Sequence, residues 1–73
     1  MRVLLRHPET EALFVCCATL VTYLTNDKKL CIHADEYIFK VTMSAYTYDR
    51  IMYDLLKSGY ADLSTVFCEV EHI

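Results

Sequence analysis

The hydrophobic pattern of this sequence changes from a period of two to helical spacing at residue 46 and returns to a period of two near the end of the chain, and these changes set the fold class. From Tyr37 to Met43 apolar and polar side chains alternate, and similar alternation runs through Arg2 to Arg6 and Thr65 to Ile73. A period of two is typical of strands with one buried face. Over residues 46–58 the apolar side chains recur at helical spacing instead; they are Tyr48, Ile51, Met52, Leu55 and Leu56. The sequence therefore predicts an α+β domain: an antiparallel sheet of four to five strands with one amphipathic helix packed on one face, in the order ββββαβ.

Polar segments divide the strand regions. The segment from His7 to Glu11 holds the only proline and predicts the first turn. The run from Ala12 to Thr25 has no breaker and is long for one strand, so we expect it to divide near Cys17-Ala18. Asn26 to Lys29 predicts a tight turn with its Asn or Asp in the left-handed conformation. A polar connection at Ala61 to Ser64 is expected to precede the last strand.

The helix carries signals at both ends. Thr47 is a suitable N-cap, and Asp49 would then place a negative charge in the first turn, where it complements the helix dipole. Gly59 predicts the end of the helix, because glycine readily adopts the left-handed conformation of a C-terminal cap. Arg50 and Asp54 are spaced to form an ion pair one turn apart. These signals predict a helix of about three turns.

We expect residues 1–73 to form one compact domain, because the chain has one Gly, one Pro and no linker-like segment. The longest apolar stretch, Ala12 to Leu24, is interrupted by threonines and shorter than the ~20 residues of a membrane-spanning helix. Polar residues interrupt the first apolar stretch, where a signal peptide needs its apolar region. These features predict a cytoplasmic protein with free thiols and no membrane contact.

Two pairs of residues have spacings that suit a zinc site. Cys31 and His33 would share one face of a strand, as would Cys68 and His72. Four ligands would converge if the two strands were neighbours. The usual C-x2-C pair is absent, however, and buried free cysteine is common. We expect core thiols and surface imidazoles rather than a metal site.

No group of residues indicates catalysis. Ser44, Ser58 and Ser64 lie outside a G-x-S-x-G motif, and the cysteines lie in apolar strand sequence, where a thiol is not activated. The single glycine excludes the glycine-rich loops that bind phosphates and dinucleotides. We expect the protein not to be an enzyme and to use no cofactor.

The polar side of the helix is the candidate site for a partner protein. Tyr53 lies there beside Asp49, Arg50 and Asp54, a mixture of aromatic and charged side chains that protein interfaces favour. The net charge of −3 argues against a general binder of phosphate backbones. The alternative is a small nucleic-acid-binding regulator with a local basic patch, whose candidate residues are Arg2, Arg6, Lys28, Lys29 and Lys40.

The chain is also expected to form a twofold homodimer, through an unpaired edge strand or through the sheet face away from the helix. An open sheet leaves two edges with unpaired backbone groups. The segment from Leu13 to Cys17 carries no charge, whereas Glu69 and Glu71 would discourage pairing at the last strand. The dimer contact is therefore predicted at Leu13, Phe14 and Val15, with Leu20 and Tyr23 as possible neighbours.

The chain resembles small uncharacterised proteins of phages and prophages of Gram-positive bacteria. The segments that carry the resemblance are Met1-Arg2-Val3-Leu4-Leu5-Arg6, Thr10-Glu11-Ala12-Leu13, Tyr48-Asp49-Arg50-Ile51 and Gly59-Tyr60-Ala61-Asp62-Leu63-Ser64. The resemblance implies strands before a single helix and brings no catalytic residues. It also implies an inhibitor that binds a host protein or nucleoprotein complex in the host cytoplasm, as anti-CRISPR proteins and inhibitors of replication or transcription do.

Overall fold

The structure is a computed structural model that describes residues 1–73, and it has the α+β fold expected from the sequence. The elements, in chain order, are β1 (Arg2–Arg6), β2 (Leu13–Cys17), β3 (Leu20–Leu24), β4 (Lys29–Ala34), β5 (Tyr37–Thr42), α1 (Ala45–Ser58), β6 (Tyr60–Asp62) and β7 (Cys68–His72). Five strands precede the helix and two follow it, where four and one were predicted, and the seven strands form two sheets rather than one sheet of four to five. The three-stranded sheet has the order β2-β1-β6 and the four-stranded sheet the order β3-β4-β5-β7.

The long apolar run divides at Ala18-Thr19, close to the expected Cys17-Ala18, and there the chain passes from one sheet to the other. The Ala18 N–H donates to the Met1 carbonyl at 2.7 Å, and the next N–H, of Thr19, donates to the His33 carbonyl at 2.8 Å. Successive amides of an extended chain point to opposite sides. The strands β1 and β4 therefore flank this chain on opposite sides, and one run of sequence serves both sheets.

At Thr19 the alternation of buried and exposed side chains along the run is also interrupted. Cys16 and Ala18 are buried in the first half of the run, whereas Val21 is buried and Leu20 exposed in the second half. The buried positions thus change from even to odd numbers across Thr19. One extra residue in a strand, as in a β-bulge, produces such a change and bends the strand. The bend allows the two sheets to fold toward each other.

The core lies between the two sheets and against one side of the helix. The three-stranded sheet contributes Val3 and Leu5, and the four-stranded sheet contributes Leu30, Ile32 and Val41, each at most 1% exposed. Across the sheets, the rings of Phe14 and Phe39 lie 5.5 Å apart, centroid to centroid. The helix contributes Ile51 and Leu55 to the same cluster. No polar or charged residue is buried, so the contact between the layers is hydrophobic packing.

The helix begins at a different cap from the predicted one. Ser44 is the N-cap, and its hydroxyl accepts a hydrogen bond from the Thr47 N–H at 3.2 Å. Thr47 instead lies within the first turn. The reason is that Met43, the last inward-facing residue of the preceding extended segment, is buried in the core, and the chain turns directly after it. Asp49 consequently lies beyond the first turn.

The other end of the helix is as predicted. Gly59 has a φ of +72°, and its N–H donates to the Leu55 carbonyl at 2.8 Å, which is the hydrogen bond of an αL cap. The turn after β3 differs from expectation, because Lys28 rather than Asn26 or Asp27 has the left-handed conformation, with a φ of +53°. The helix is too short and too polar to cross a membrane.

A third strand in the smaller sheet replaces part of the expected polar connection. Tyr60–Asp62 forms β6 and pairs in parallel with β1, with Val3 opposite Ala61. Ala61 is 2% exposed, and the Arg2 N–H donates to the Gly59 carbonyl at 2.8 Å. A strand of three residues is too short to show an alternating pattern in the sequence.

The assignment of the N-cap predicts that substitutions of Ser44 and Thr47 change the stability of the protein by different amounts. Ser44→Ala should lower the free energy of unfolding by about 1 kcal/mol, because the Thr47 N–H loses its acceptor. Thr47→Ala is the control, and it should cost less, since alanine keeps that N–H and has the higher helix propensity. Urea unfolding followed by circular dichroism measures both changes. An equal or larger loss in the Thr47 variant would contradict the assignment of Ser44.

Candidate protein-binding surface

The side of the helix that faces away from the core carries three large, exposed side chains. Ile51 and Leu55 are buried, whereas Tyr46 is 82% exposed, Tyr53 61% and Leu56 85%. An α-helix turns about 100° per residue. Tyr46 and Tyr53 therefore project almost in line, directly opposite the buried side, and Leu56 lies along one flank.

Charged side chains surround these residues. Arg50 and Lys57 fall in line with the two tyrosines, so that aromatic and cationic groups alternate along the helix. Asp49 lies on the flank of Leu56, and Asp54 lies on the other flank. We call this surface the outer helix face; it consists of Tyr46, Asp49, Arg50, Tyr53, Asp54, Leu56 and Lys57. The four residues proposed from sequence to bind a partner, Asp49, Arg50, Tyr53 and Asp54, all belong to it.

The charges of the outer helix face have no ionic partners within the chain. The only three ion pairs lie elsewhere, and the expected Arg50–Asp54 pair does not form within 4.0 Å. The Lys57 ammonium contacts the Tyr53 ring, with its nitrogen 5.7 Å from the ring centroid. Arg50 and Asp49 therefore remain free to pair with groups on another molecule.

Of two apolar residues assigned to the inner side of the helix from the sequence, Leu56 was assigned wrongly and Tyr48 correctly. Leu56 was expected on the buried side, and its exposure of 85% shows that this was wrong. The core contact is centred on Ile51 and Leu55, so a residue 100° farther around the helix projects past it. Tyr48 is on the inner side as expected: its ring stacks on that of Tyr23, with centroids 4.6 Å apart.

The segment expected to mediate dimerisation forms an edge strand. β2 pairs with β1 alone, and Leu13 and Val15 are 51% and 54% exposed on its outer side. Phe14 differs, because alternation directs it inward, where it packs on Phe39. Phe14 is therefore a core residue, and only Leu13 and Val15 of the three are placed to contact another molecule. Of the possible neighbours, Leu20 is 52% exposed, whereas Tyr23 is half-buried.

The four residues of the possible zinc site do not meet. In the four-stranded sheet Cys31 pairs with Lys40 and His33 with Ile38, on the outer face. Cys68 pairs with Val41, on the inner face, and His72 pairs with Tyr37 on that same face. The two candidate pairs thus project from opposite faces. No group of three or more His, Cys, Asp or Glu side chains is arranged to hold a metal ion.

The thiols differ in exposure and in acidity. All four are free, and only Cys17 is exposed. Burial raises the pKa of the Cys68 thiol to about 11, and it also raises the pKa of Cys16. The thiolate is the reactive form of cysteine, so these two buried thiols are poor nucleophiles at neutral pH.

The basic residues considered for nucleic-acid binding do not form one patch. Arg2 and Arg6 lie on β1 in the three-stranded sheet, whereas Lys29 and Lys40 lie in the four-stranded sheet. Lys29 pairs with Glu69 at 3.2 Å, and Lys40 pairs with Glu71 at 2.7 Å. The hydrogen bond between the two side chains, together with their opposite charges, raises the pKa of Lys40 and lowers that of Glu71. Lys28 is exposed in the turn after β3.

Two surface grooves share His7. The larger, about 390 Å³, is lined in part by Arg6, Glu11, Ser64 and Cys68, and the smaller, about 220 Å³, by Phe14, Tyr37, Phe39 and Val70. In the larger groove the Nδ1 atom of His7 accepts hydrogen bonds from the backbone N–H groups of Glu9 and Thr10, at 3.2 and 3.4 Å. That nitrogen is thus already engaged. The Arg6 guanidinium likewise donates to the carbonyls of Ser64 and Glu11.

Thiol labelling tests the placement of the cysteines. At pH 7.5 iodoacetamide should modify Cys17 at least tenfold faster than Cys68, because Cys17 is exposed and the Cys68 thiol has a pKa of about 11. Peptide mass spectrometry of timed samples measures the rates. In denaturant the two cysteines should react at similar rates, which controls for intrinsic reactivity. Fast modification of Cys68 in the folded protein would contradict its burial.

The tyrosines of the helix predict contrasting effects on stability. Tyr46→Ala and Tyr53→Ala should each change the free energy of unfolding by less than about 0.5 kcal/mol, because the side chains are exposed. Tyr48→Ala should cost about 2 kcal/mol, since it removes the stack on Tyr23. Denaturant unfolding of the three variants tests this order. A large loss on changing Tyr53 would assign it to folding rather than to binding.

The outer helix face is the surface on which large apolar side chains and unpaired charges come together. Tyr46, Tyr53 and Leu56 make up a quarter of the large hydrophobic residues that the chain exposes, and they lie on one element. Comparisons of the chain with protein-family models, with curated proteins and with solved structures find no match.

Proposed function

We propose that the protein is a non-enzymatic binding module that inserts its outer helix face into an apolar groove on a partner protein. The observation that carries this proposal is the exposure of Tyr46, Tyr53 and Leu56 along a helix whose opposite side is anchored in the core. An amphipathic helix that docks in a groove uses anchors about one and two turns apart. Tyr46 and Tyr53 are two turns apart, and Leu56 follows nearly one turn later.

The residue types on this face suit a binding surface. Tyrosine and arginine are enriched among the residues that contribute most to protein interfaces, and Arg50 lies between the two exposed tyrosines. Burying a large apolar side chain contributes roughly 1.5–3 kcal/mol. Three such anchors supply a substantial driving force. The helix is held by the core at Ile51 and Leu55, so little conformational entropy is lost on docking.

The charges indicate what the partner groove contains. Arg50 and Lys57 are in line with the tyrosines and have no carboxylate partner in the chain. A partner that meets them with Asp or Glu side chains would gain charge-assisted hydrogen bonds, bidentate ones at Arg50. The proposed partner is therefore a protein with an apolar groove whose rim carries carboxylates opposite Arg50 and Lys57.

A domain that fills such a groove would act by occlusion. The proposed target is a host protein or nucleoprotein complex whose groove normally receives another ligand, and the protein would inhibit it by competition. This role is the one that a resemblance to small phage-type proteins would imply. The exposed anchors support binding as such, whichever partner is involved.

Site-specific crosslinking tests the proposal. A photoreactive p-benzoylphenylalanine at Tyr53 should crosslink a single protein species in a Gram-positive bacterial lysate. The matched control carries the same group at Phe67, which is 86% exposed on the connection before β7. The control should not capture that species, because the helix is the proposed contact.

Competition distinguishes specific docking from adhesion. Excess unlabelled protein should suppress the crosslink, and the Tyr46→Ala/Arg50→Ala variant should suppress it at least tenfold less effectively. Absence of a discrete product, or equal capture from position 67, would overturn the proposal. Equal competition by the variant would also overturn it, since both altered residues lie on the outer helix face.

A further inference from the structure

We propose that β2 forms a twofold dimer by antiparallel pairing with β2 of a second copy, with Val15 opposite Val15 of the other copy. The exposed backbone of β2 supports this inference. The His7 N–H donates to the Ala12 carbonyl at 2.9 Å, and the Ala18 N–H donates to the Met1 carbonyl at 2.7 Å. The even-numbered residues of this strand therefore direct their backbone groups toward β1.

The odd-numbered residues of β2 direct their backbone N–H and carbonyl groups away from β1. Leu13, Val15 and Cys17 thus present three N–H groups and three carbonyls along a side on which no strand pairs. An antiparallel copy centred on Val15 would match these groups one to one. Val15 would exchange two hydrogen bonds with its counterpart, and Leu13 would exchange two with Cys17 of the other copy. The edge is complementary to itself.

The side chains of this edge suit a strand pair. β2 contains no charged residue, and Leu13 and Val15 are more than half exposed on its outer side. Leu4 on β1 lies opposite Val15 and is half-buried on the same side. Pairing would join two three-stranded sheets into one of six strands and bring these apolar side chains of both copies together. Uncharged, apolar edge strands are the ones that pair between chains.

The other three edges are less suited to pairing. β6 has only three residues, and β7 carries Glu69 and Glu71. β3 is uncharged, but the helix packs beside it, through the stack of Tyr48 on Tyr23. Its large exposed side chains, Leu20 and Leu24, lie at the two ends of the strand rather than at its centre. β2 is therefore the edge that combines free backbone groups, no charge and exposed apolar side chains.

Sedimentation velocity across a range of concentrations tests the dimer. The wild-type protein should approach twice the chain mass of 8.5 kDa at high concentration. Val15→Lys should weaken association by about tenfold or more, because it places two like charges directly opposite each other. Leu20→Lys is the matched control: Leu20 is 52% exposed, against 54% for Val15, and should leave the dissociation constant unchanged within about twofold.

A second variant and a second measurement keep the test independent of side-chain charge. Val15→Pro removes the outward N–H without removing a hydrogen bond to β1, and it should also yield monomer. In the wild-type dimer the amides of Leu13, Val15 and Cys17 should exchange with solvent more slowly than in diluted monomer. Circular dichroism checks that both variants fold, and Val15→Lys serves if the proline variant does not.

Three experimental results would contradict the proposed pairing of β2 with β2. A wild-type monomer at millimolar concentration would overturn the inference. A dimer that Leu20→Lys weakens as much as Val15→Lys, or one in which the three amides gain no protection, would place the contact elsewhere. The outer helix face takes no part in this pairing, so a failed dimer test leaves the binding proposal unaffected.

Discussion

The bend at Ala18-Thr19 is the constraint on which the rest of the structure depends. One apolar run supplies β2 to the three-stranded sheet and β3 to the four-stranded sheet, and the change in inward parity across Thr19 keeps both inner faces apolar. Without the bend the run would form one strand with a single buried face. With it, Phe14 reaches Phe39 and the sheets enclose a core with no buried polar residue. A chain of this length gains much of its stability from that enclosure.

The fold class could be predicted from the sequence because each hydrophobic pattern reflects the secondary structure that a short segment prefers. Alternation around Tyr37 to Met43, helical spacing around Ile51 and the glycine at 59 each reflect the conformation of a few neighbouring residues. The assembly of two sheets depends on contacts between distant residues, such as Val3 with Ala61, that no local pattern encodes. The choice between Ser44 and Thr47 as N-cap was likewise settled by the burial of Met43.

Part of the candidate surface could also be predicted from the sequence, because it lies on a single helix with a recognisable local pattern. Tyr53 and Arg50 could be placed on the polar side of a helix, since helical spacing fixes relative directions. Leu56 was missed because its apolar character suggested burial, whereas the narrow contact around Leu55 leaves it outside. The lack of charge at Leu13 and Val15 predicted that this segment would be adhesive if it lay at an edge, and the structure places it at one. The inward direction of Phe14 follows from alternation once the neighbouring residues are known to face outward.

The parallel pairing of β1 with β6 has a consequence for the order of folding. The hairpin of β1 with β2 and the meander of β3, β4 and β5 join neighbouring segments, so their closure costs little chain entropy. Arg2 and Tyr60, by contrast, pair across almost the whole chain. Closing so long a loop costs more chain entropy than closing either local unit, so we expect these contacts to form after the local ones. Until they form, the smaller sheet is a two-stranded hairpin, and the helix, which precedes β6 directly, has no docked strand to hold its end. The parallel strand therefore links the closure of the longest loop to the positioning of the helix.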